Sequence, residues 1–254
     1  MLVIVGPTGV GKSALSNLLG LKFNGEIINA DSCQVYRGMD IGTAKPSQAE
    51  INSFPHHLFD IVDPDERFDV HMFNIEANLA IDQINSRKRT PIVVGGTGQY
   101  IWSIVESWGI NKSGSDPEVR SRIECEYMAK GLEPLVRDLL CKDPENSVHV
   151  DLKNPRRVIR ALERVELGFD AASPRSKVID LSPGTFIVGL SLGREELYKR
   201  ADQRINSMIR SGWLMEVLFL RGSGYNKTLR SMGSIGYREL HGFLEKEFSW
   251  QECV

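Results

Sequence analysis

The sequence predicts an α/β fold, a parallel sheet flanked by helices, interrupted by an all-helical insertion. Three observations predict it. Short apolar runs at residues 2–5, 26–30, 91–94 and 186–190 are separated by helical patterns, the alternation that produces parallel sheets. A glycine-rich stretch, Gly6-Pro7-Thr8-Gly9-Val10-Gly11-Lys12-Ser13, joins the first run to the first helical pattern. Between residues 113 and 180 there are helical patterns and no strand candidates.

The first apolar run, Leu2-Val3-Ile4-Val5, reads as a buried strand. The stretch after it fits G-x-x-x-x-G-K-[ST] at every fixed position, which makes the sheet P-loop NTPase-like. Its glycines let backbone N–H groups converge on phosphate oxygens, Lys12 adds a point charge, and the Ser13 hydroxyl is a candidate Mg²⁺ ligand. The helix from Lys12 is expected to bury Leu15, Leu18, Leu19 and Phe23 on one face.

Glu26 to Ala30 is a second strand, followed directly by Asp31-Ser32. Residues just past strand ends face the ligand crevice of an open parallel sheet. Asp31 therefore has two readings, a crevice carboxylate or an Asp–Ser turn. A polar loop is expected from Tyr36 to Ser53. The adjacent His56 and His57 would point apart in a strand and make a poor ligand pair, so structural roles are expected for both. Residues 69–87 are expected to be helical, with Phe73, Ala77, Ala80 and Ile84 inward. Pro91 to Val94 reads as a third strand entering Gly95-Gly96-Thr97-Gly98-Gln99-Tyr100, where Thr97 would offer a hydroxyl to the crevice or the glycines serve packing alone.

A linker around residues 111–117 opens the insertion. Helices are expected over 118–130 and 133–141, and Asn154-Pro155 is a strong start signal for a third. On that third helix Arg157, Arg160 and Arg164 share a face opposite Val158, Leu162 and Val165. An outward arginine ridge suits RNA phosphates, and equally a solvated face with internal ion pairs. Residues 173–183 return to the sheet at Phe186 to Leu190. Helices follow over 195–210, with Leu197, Ala201, Ile205 and Met208 inward, over 214–221, and from about Ser234. Arg200 and Arg204, one turn apart, can reach one anion. The boundaries expected are a core over 1–112 and 181–254 and an insertion over 113–180.

Composition sets limits. With 41% hydrophobic and 25% charged residues and a net charge of -2, the chain reads as a soluble globular protein without a global polyanion signature. Cys33, Cys125, Cys141 and Cys253 are scattered, which argues against a disulfide framework or zinc site and suits a reducing cytoplasm. The phosphate loop begins too early for a signal peptide ahead of it, and no apolar run has membrane length. No strand ends in the apolar-run-plus-Asp pattern of a nucleotide-hydrolysing metal site, and no Asn-Lys-x-Asp guanine reader occurs, so a hydrolytic switch is disfavoured.

The phosphate loop, Asp31-Ser32-Cys33-Gln34-Val35-Tyr36-Arg37-Gly38-Met39-Asp40-Ile41-Gly42-Thr43-Ala44-Lys45-Pro46, Pro55-His56-His57-Leu58, Gly95 to Tyr100, Asp116-Pro117-Glu118-Val119-Arg120, Arg157 to Glu163 and Ile235-Gly236-Tyr237-Arg238-Glu239 resemble, in order, the motifs of tRNA dimethylallyltransferases. The resemblance covers nearly the whole chain. Asp151-Leu152-Lys153-Asn154 replaces the family's usual His-Pro-Asn-Asp, and Gly233 replaces a larger polar residue. The family usually continues past this point into a helical segment that meets RNA. These departures bear on RNA affinity more than on chemistry.

The resemblance implies prenyl transfer from dimethylallyl diphosphate to the exocyclic amine of the adenine beside the tRNA anticodon. It implies that residues 6–13 hold the diphosphate with Mg²⁺ on Ser13, that Lys12 with Arg200 or Arg204 absorbs its charge, and that Asp31 accepts the amine proton with Thr97 orienting it or the adenine. It also implies that Asp31, Ser32, Cys33, Gln34, Thr97, Arg120, Arg156, Arg157, Val158, Ile159 and Arg160 meet the anticodon stem-loop. A cytoplasmic monomer is expected. Alternative readings are a prenyltransferase of free adenine nucleotides and a small-molecule kinase.

Overall fold

A computed structural model describes residues 1–106, 116–172 and 184–253. Among them the chain divides into two compact units, Met1–Trp108 with Asp180–Val254, and Gly109–Ile179.

The first unit is built on β1 (Leu2–Val5), α1 (Lys12–Lys22), β2 (Gly25–Asn29), α2 (Gln48–Ser53), β3 (His56–His57), α3 (Val70–Ser86), β4 (Thr90–Val94) and α4 (Gly98–Val105). β1, β2 and β4 are expected apolar runs, and they bury Val3, Ile4, Ile27, Ile28, Ile92 and Val93. Burial on both faces is what a parallel sheet covered by helices requires. Asp69 starts α3 by accepting hydrogen bonds from the amides of His71 (2.9 Å) and Met72 (3.2 Å), and Phe73, Ala77, Ala80 and Ile84 are buried as their spacing predicts.

The second unit contains α5 (Pro117–Lys130), α6 (Leu132–Lys142), α7 (Pro144–Ser147) and α8 (Pro155–Glu166), and no strand among the described residues. Asn154 caps α8 through the Arg157 amide (3.3 Å), with Pro155 in the first turn. Ile123, Leu135, Leu139, Val158, Ile159 and Leu162 form its core. The linker before it and the return after it lie largely in 107–115 and 173–183, outside the described residues.

The chain then adds β5 (Phe186–Gly189), α9 (Arg194–Arg210), α10 (Trp213–Gly222), α11 (Tyr237–Leu244) and α12 (Trp250–Cys253) to the first unit. The sheet order is β3-β2-β4-β1-β5, with every pairing parallel. In register, Leu2 faces Ile92 on one side and Phe186 on the other. All five strands therefore end at one edge, where the loops after β1, β2, β4 and β5 gather.

Three expectations change. The loop over 36–53 contains α2, begun by a reciprocal cap between Ser47 and Glu50. His56–His57 forms a strand, so Thr90–Val94 is fourth in chain order. On α1 the buried positions are Ser16 and Gly20, whereas Leu18 is 67% exposed and Phe23 52%. The Phe54 ring sets this rotation: a Cβ on Gly20 would lie 2.9 Å from it, so the helix presents its small residues inward.

Candidate active site

The loop after β1 folds as a phosphate cradle. Gly9 and Gly11 have φ of 82° and 106°, values that L side chains rarely adopt, and Gly11 is the N-cap of α1. Having no side chain, Gly11 leaves the first amides of α1 without a side-chain cap and open to an anion. Lys12 folds back over the loop, its Nζ donating to the carbonyls of Gly6 (2.8 Å) and Pro7 (3.0 Å). Burial holds its pKa below the ordinary lysine value, Arg204 pushes the same way, and Asp31 opposes them.

Asp31 follows β2 by two residues. The buried Asn29 side chain fixes it, accepting from the Asp31 amide (2.9 Å) and donating to the carbonyls of Leu58 (2.9 Å) and Asp31 (3.2 Å). Asp31 Oδ1 accepts from the Cys33 amide (2.9 Å), and Oδ2 takes no hydrogen bond among the described residues. One oxygen therefore builds the turn, and the other has no partner among the described residues.

The Thr97 hydroxyl accepts from the Ser32 amide (2.9 Å) and donates to the Ser32 hydroxyl (3.2 Å). Thr97 thus orients the residue after Asp31 rather than Asp31 itself. Gly95 permits this approach, since a Cβ there would lie 2.1 Å from the Ala30 carbonyl oxygen.

α9 supplies the arginines, and they differ. Arg204 is partly buried, and that burial lowers its pKa while Asp31 raises it. It donates to the Thr43 carbonyl at 3.4 Å. Lys12, Asp31 and Arg204 thus form one electrostatic group at the carboxyl ends of the strands. Arg200 lies on the rim, with its Cβ 3.7 Å from where a Gly9 Cβ would stand and its guanidinium on Glu196 (2.8 Å). Gln34 donates to the carbonyls of Thr43 (2.9 Å) and Ala44 (3.2 Å), so it braces a neighbouring turn. Cys33 lines a cavity of about 140 Å³ with Ser32, Tyr36, Thr97, Tyr100 and Arg230, and burial pushes its thiol up to about 11.

The Ser13 hydroxyl is exposed and takes no hydrogen bond among the described residues, so it can ligate a cation. No group of three His, Cys, Asp or Glu side chains able to hold a metal occurs among those residues. An ion at Ser13 would draw its remaining ligands from substrate oxygens and water, the usual manner of Mg²⁺ at phosphates. His56 and His57 have structural roles: His56 Nδ1 bonds the Phe54 carbonyl (2.9 Å) and His57 Nε2 the Glu26 carboxylate (2.6 Å).

In the second unit the arginines lie at the surface with acidic neighbours. Arg157 pairs with Asp151 (3.2 Å), Arg160 with Glu163 (2.7 Å), and Arg120 with Glu124 (3.2 Å). Arg156 is exposed and makes no ion pair among the described residues. Val158 and Ile159, expected among the RNA-contacting residues, are buried in the core of this unit, which removes their side chains from any ligand.

Sequence reasoning missed Arg230 and Tyr100 in the cavity wall and Glu216 behind the Thr43 turn. Arg230 had only its closeness to the Gly-Tyr-Arg-Glu motif as a signal, and Glu216 had none.

Comparison with known proteins gives a consistent result. A family model described as IPP transferase matches residues 34–254, and one described as isopentenyl transferase matches residues 1–60. A tRNA dimethylallyltransferase of Heliobacterium modesticaldum is 44% identical over 97% of this chain and 78% of its own. One from a Roseiflexus species is 42% identical over 100% and 83%. The crystal structure of a Bacillus halodurans tRNA isopentenylpyrophosphate transferase matches with a TM-score of 0.70 and 36% identity, over 99% of this chain and 79% of that one. A eukaryotic dimethylallyltransferase, described as caught acting on tRNA, matches with a TM-score of 0.81 and 29% identity, over 100% of this chain and 64% of that one.

Proposed function

This chain belongs to the tRNA dimethylallyltransferase family, and on that premise we propose that it transfers a dimethylallyl group from dimethylallyl diphosphate to the exocyclic amine of an adenine in tRNA. The activity is tRNA prenyl transfer, and tRNA is the partner. We assign the acceptor to the adenine next to the anticodon, read from the anticodon stem-loop by a cytoplasmic monomer. No helix among the described residues is long and apolar enough to cross a membrane.

The observation that carries the reading is the group Lys12, Asp31 and Arg204 beside a helix N-terminus with no side-chain cap. The cations and amides face where a diphosphate leaving group gathers charge, and one carboxylate oxygen beside them is available for a proton. The acceptor adenine must leave its stack to enter. The amine nitrogen forms a bond to the allylic carbon as that carbon's bond to oxygen breaks, and the electron pair departs with diphosphate. The amine proton passes to Asp31 Oδ2. Lys12, Arg204 and the first amides of α1 stabilise the leaving charge, and Thr97 keeps the Asp31 turn in place through Ser32. Mg²⁺ held by the Ser13 hydroxyl and diphosphate oxygens would supply further charge neutralisation. Arg200 serves as a rim contact, and Arg120, Arg156, Arg157 and Arg160 as phosphate contacts for tRNA.

Labelled dimethylallyl diphosphate supplied with either tRNA or AMP tests this assignment. Label should enter tRNA and leave AMP untouched, with one diphosphate released per transfer. Labelling of AMP at comparable rates would assign the free-nucleotide reaction instead.

A further inference from the structure

Glu216 on α10 is partly buried and pairs with no lysine, arginine or histidine among the described residues. Its carboxylate instead accepts four hydrogen bonds. Oε2 receives the amides of Asp40 (2.9 Å) and Ile41 (2.7 Å), and Oε1 receives the Gly42 amide (3.2 Å) and the Tyr237 hydroxyl. A surface charge that served only solubility would not be saturated by three consecutive amides of a turn more than 170 residues away. The turn is also pressed onto α10. A Cβ on Gly42 would lie 2.0 Å from Trp213 Nε1, so backbone and indole are in direct contact.

The turn so held contains Thr43. Its carbonyl receives Arg204 (3.4 Å) and Gln34 (2.9 Å), and Arg204 is a partly buried cation of the Lys12–Asp31 group. We propose that Glu216 is a positioning residue of the diphosphate site: by gathering the amides of residues 40–42 it holds the Thr43 carbonyl where it aims Arg204. The inference rests on the reading of Arg204 as a diphosphate ligand. Glutamine in place of Glu216 keeps the size but turns half of the acceptor into an N–H donor, which must then face an amide or the Tyr237 hydroxyl. The turn then loses a bond, and Arg204 loses its aim.

The test is a double-mutant cycle on affinity for dimethylallyl diphosphate, measured by calorimetry with Mg²⁺ and without tRNA, on wild type, Glu216→Gln, Arg204→Ala and the double variant. Each single change should weaken binding by about tenfold, the scale of one hydrogen bond to a charged group. The double variant should bind no more weakly than Arg204→Ala alone. A residue that only stabilised the fold would lower the unfolding temperature yet leave affinity unchanged, or its loss would multiply with that of Arg204, and either result overturns the proposal. Should Glu216→Gln fail to fold, Tyr237→Phe carries the same cycle. It removes one donor to Glu216 and should cost a few-fold in affinity in the wild-type background and nothing in the Arg204→Ala background. Equal losses in both backgrounds would overturn the proposal. Because binding is read without tRNA, a cycle that shows the coupling while the wild-type protein prenylates no tRNA supports the positioning role and counts against the reaction alone.

Discussion

Asp31 commits one carboxylate oxygen to the Cys33 amide while the other takes no hydrogen bond among the described residues, so a turn role and the proposed base role are separable. An aromatic amine is a poor nucleophile because its lone pair is delocalised, and transfer leaves it with an extra proton. General-base assistance is typically worth about 10²- to 10⁴-fold. Asp31→Asn keeps an acceptor oxygen for the turn and loses the basic one, so turnover should fall within that range while binding of tRNA and diphosphate holds. Normal turnover would make Asp31 a turn residue only. Glu26, at 1% exposure, is a buried carboxylate held well below its usual range. Burial alone would raise its pKa, but hydrogen bonds from Arg87, His57 and Arg89 bring it from 4.5 down to about 2. Its contribution to stability is therefore complete above about pH 4.5 and disappears as the pH falls toward 2. Glu26→Gln should cost about 2 kcal/mol at neutral pH, below the figure for a fully enclosed pair because both guanidinium groups reach water. It should also flatten acid sensitivity between about pH 4.5 and 2, which chemical denaturation at several pH values would show.

Among the elements, α8 was the most legible and also the most misleading. Asn154 and Pro155 announced its start, and its apolar stripe marked the core of its unit, because caps and periodicity are encoded within a few residues. The same periodicity could not show that Val158 and Ile159 are buried away from ligand, or that Arg157 pairs with Asp151 from outside the helix. The exposed Arg157–Asp151 pair is of the kind that contributes about 0–1 kcal/mol and exchanges readily for phosphate, whereas Arg160 pairs with the buried Glu163 carboxylate. Replacing Arg157 and Arg160 with Ala should therefore weaken tRNA binding and reduce the slope of log affinity against log salt by up to about two units. Affinity for the small diphosphate should be unchanged. An unaltered slope would mark α8 as a solvated face with internal ion pairs. The rotation of α1 was hidden for a different reason: Phe54, which fixes it, lies beyond the helix in sequence, and a leucine count cannot anticipate which face a ring from elsewhere will occupy.

At the scale of the molecule, the parallel sheet and its carboxyl-edge loops were readable because each βα step is local. The clamp from Glu216 to residues 40–42 was not, since nothing near either end signals the other. The sheet also places its chemistry where nucleotide hydrolases place theirs, yet β4 runs into Gly95 rather than a metal-binding carboxylate, and Asp60 pairs with Lys45. Purified protein with Mg²⁺ should therefore show negligible ATP or GTP turnover, with or without tRNA. Lys12-dependent hydrolysis would show that the cradle serves nucleotide chemistry. The central claim, that this chain prenylates an adenine in tRNA, is tested most directly by mass spectrometry of nucleosides from bulk tRNA incubated with the protein, Mg²⁺ and dimethylallyl diphosphate. The account predicts a dimethylallyl-adenosine that is absent without protein and strongly reduced with Lys12→Ala. Unmodified adenosine throughout, from folded protein that binds both substrates, would contradict it.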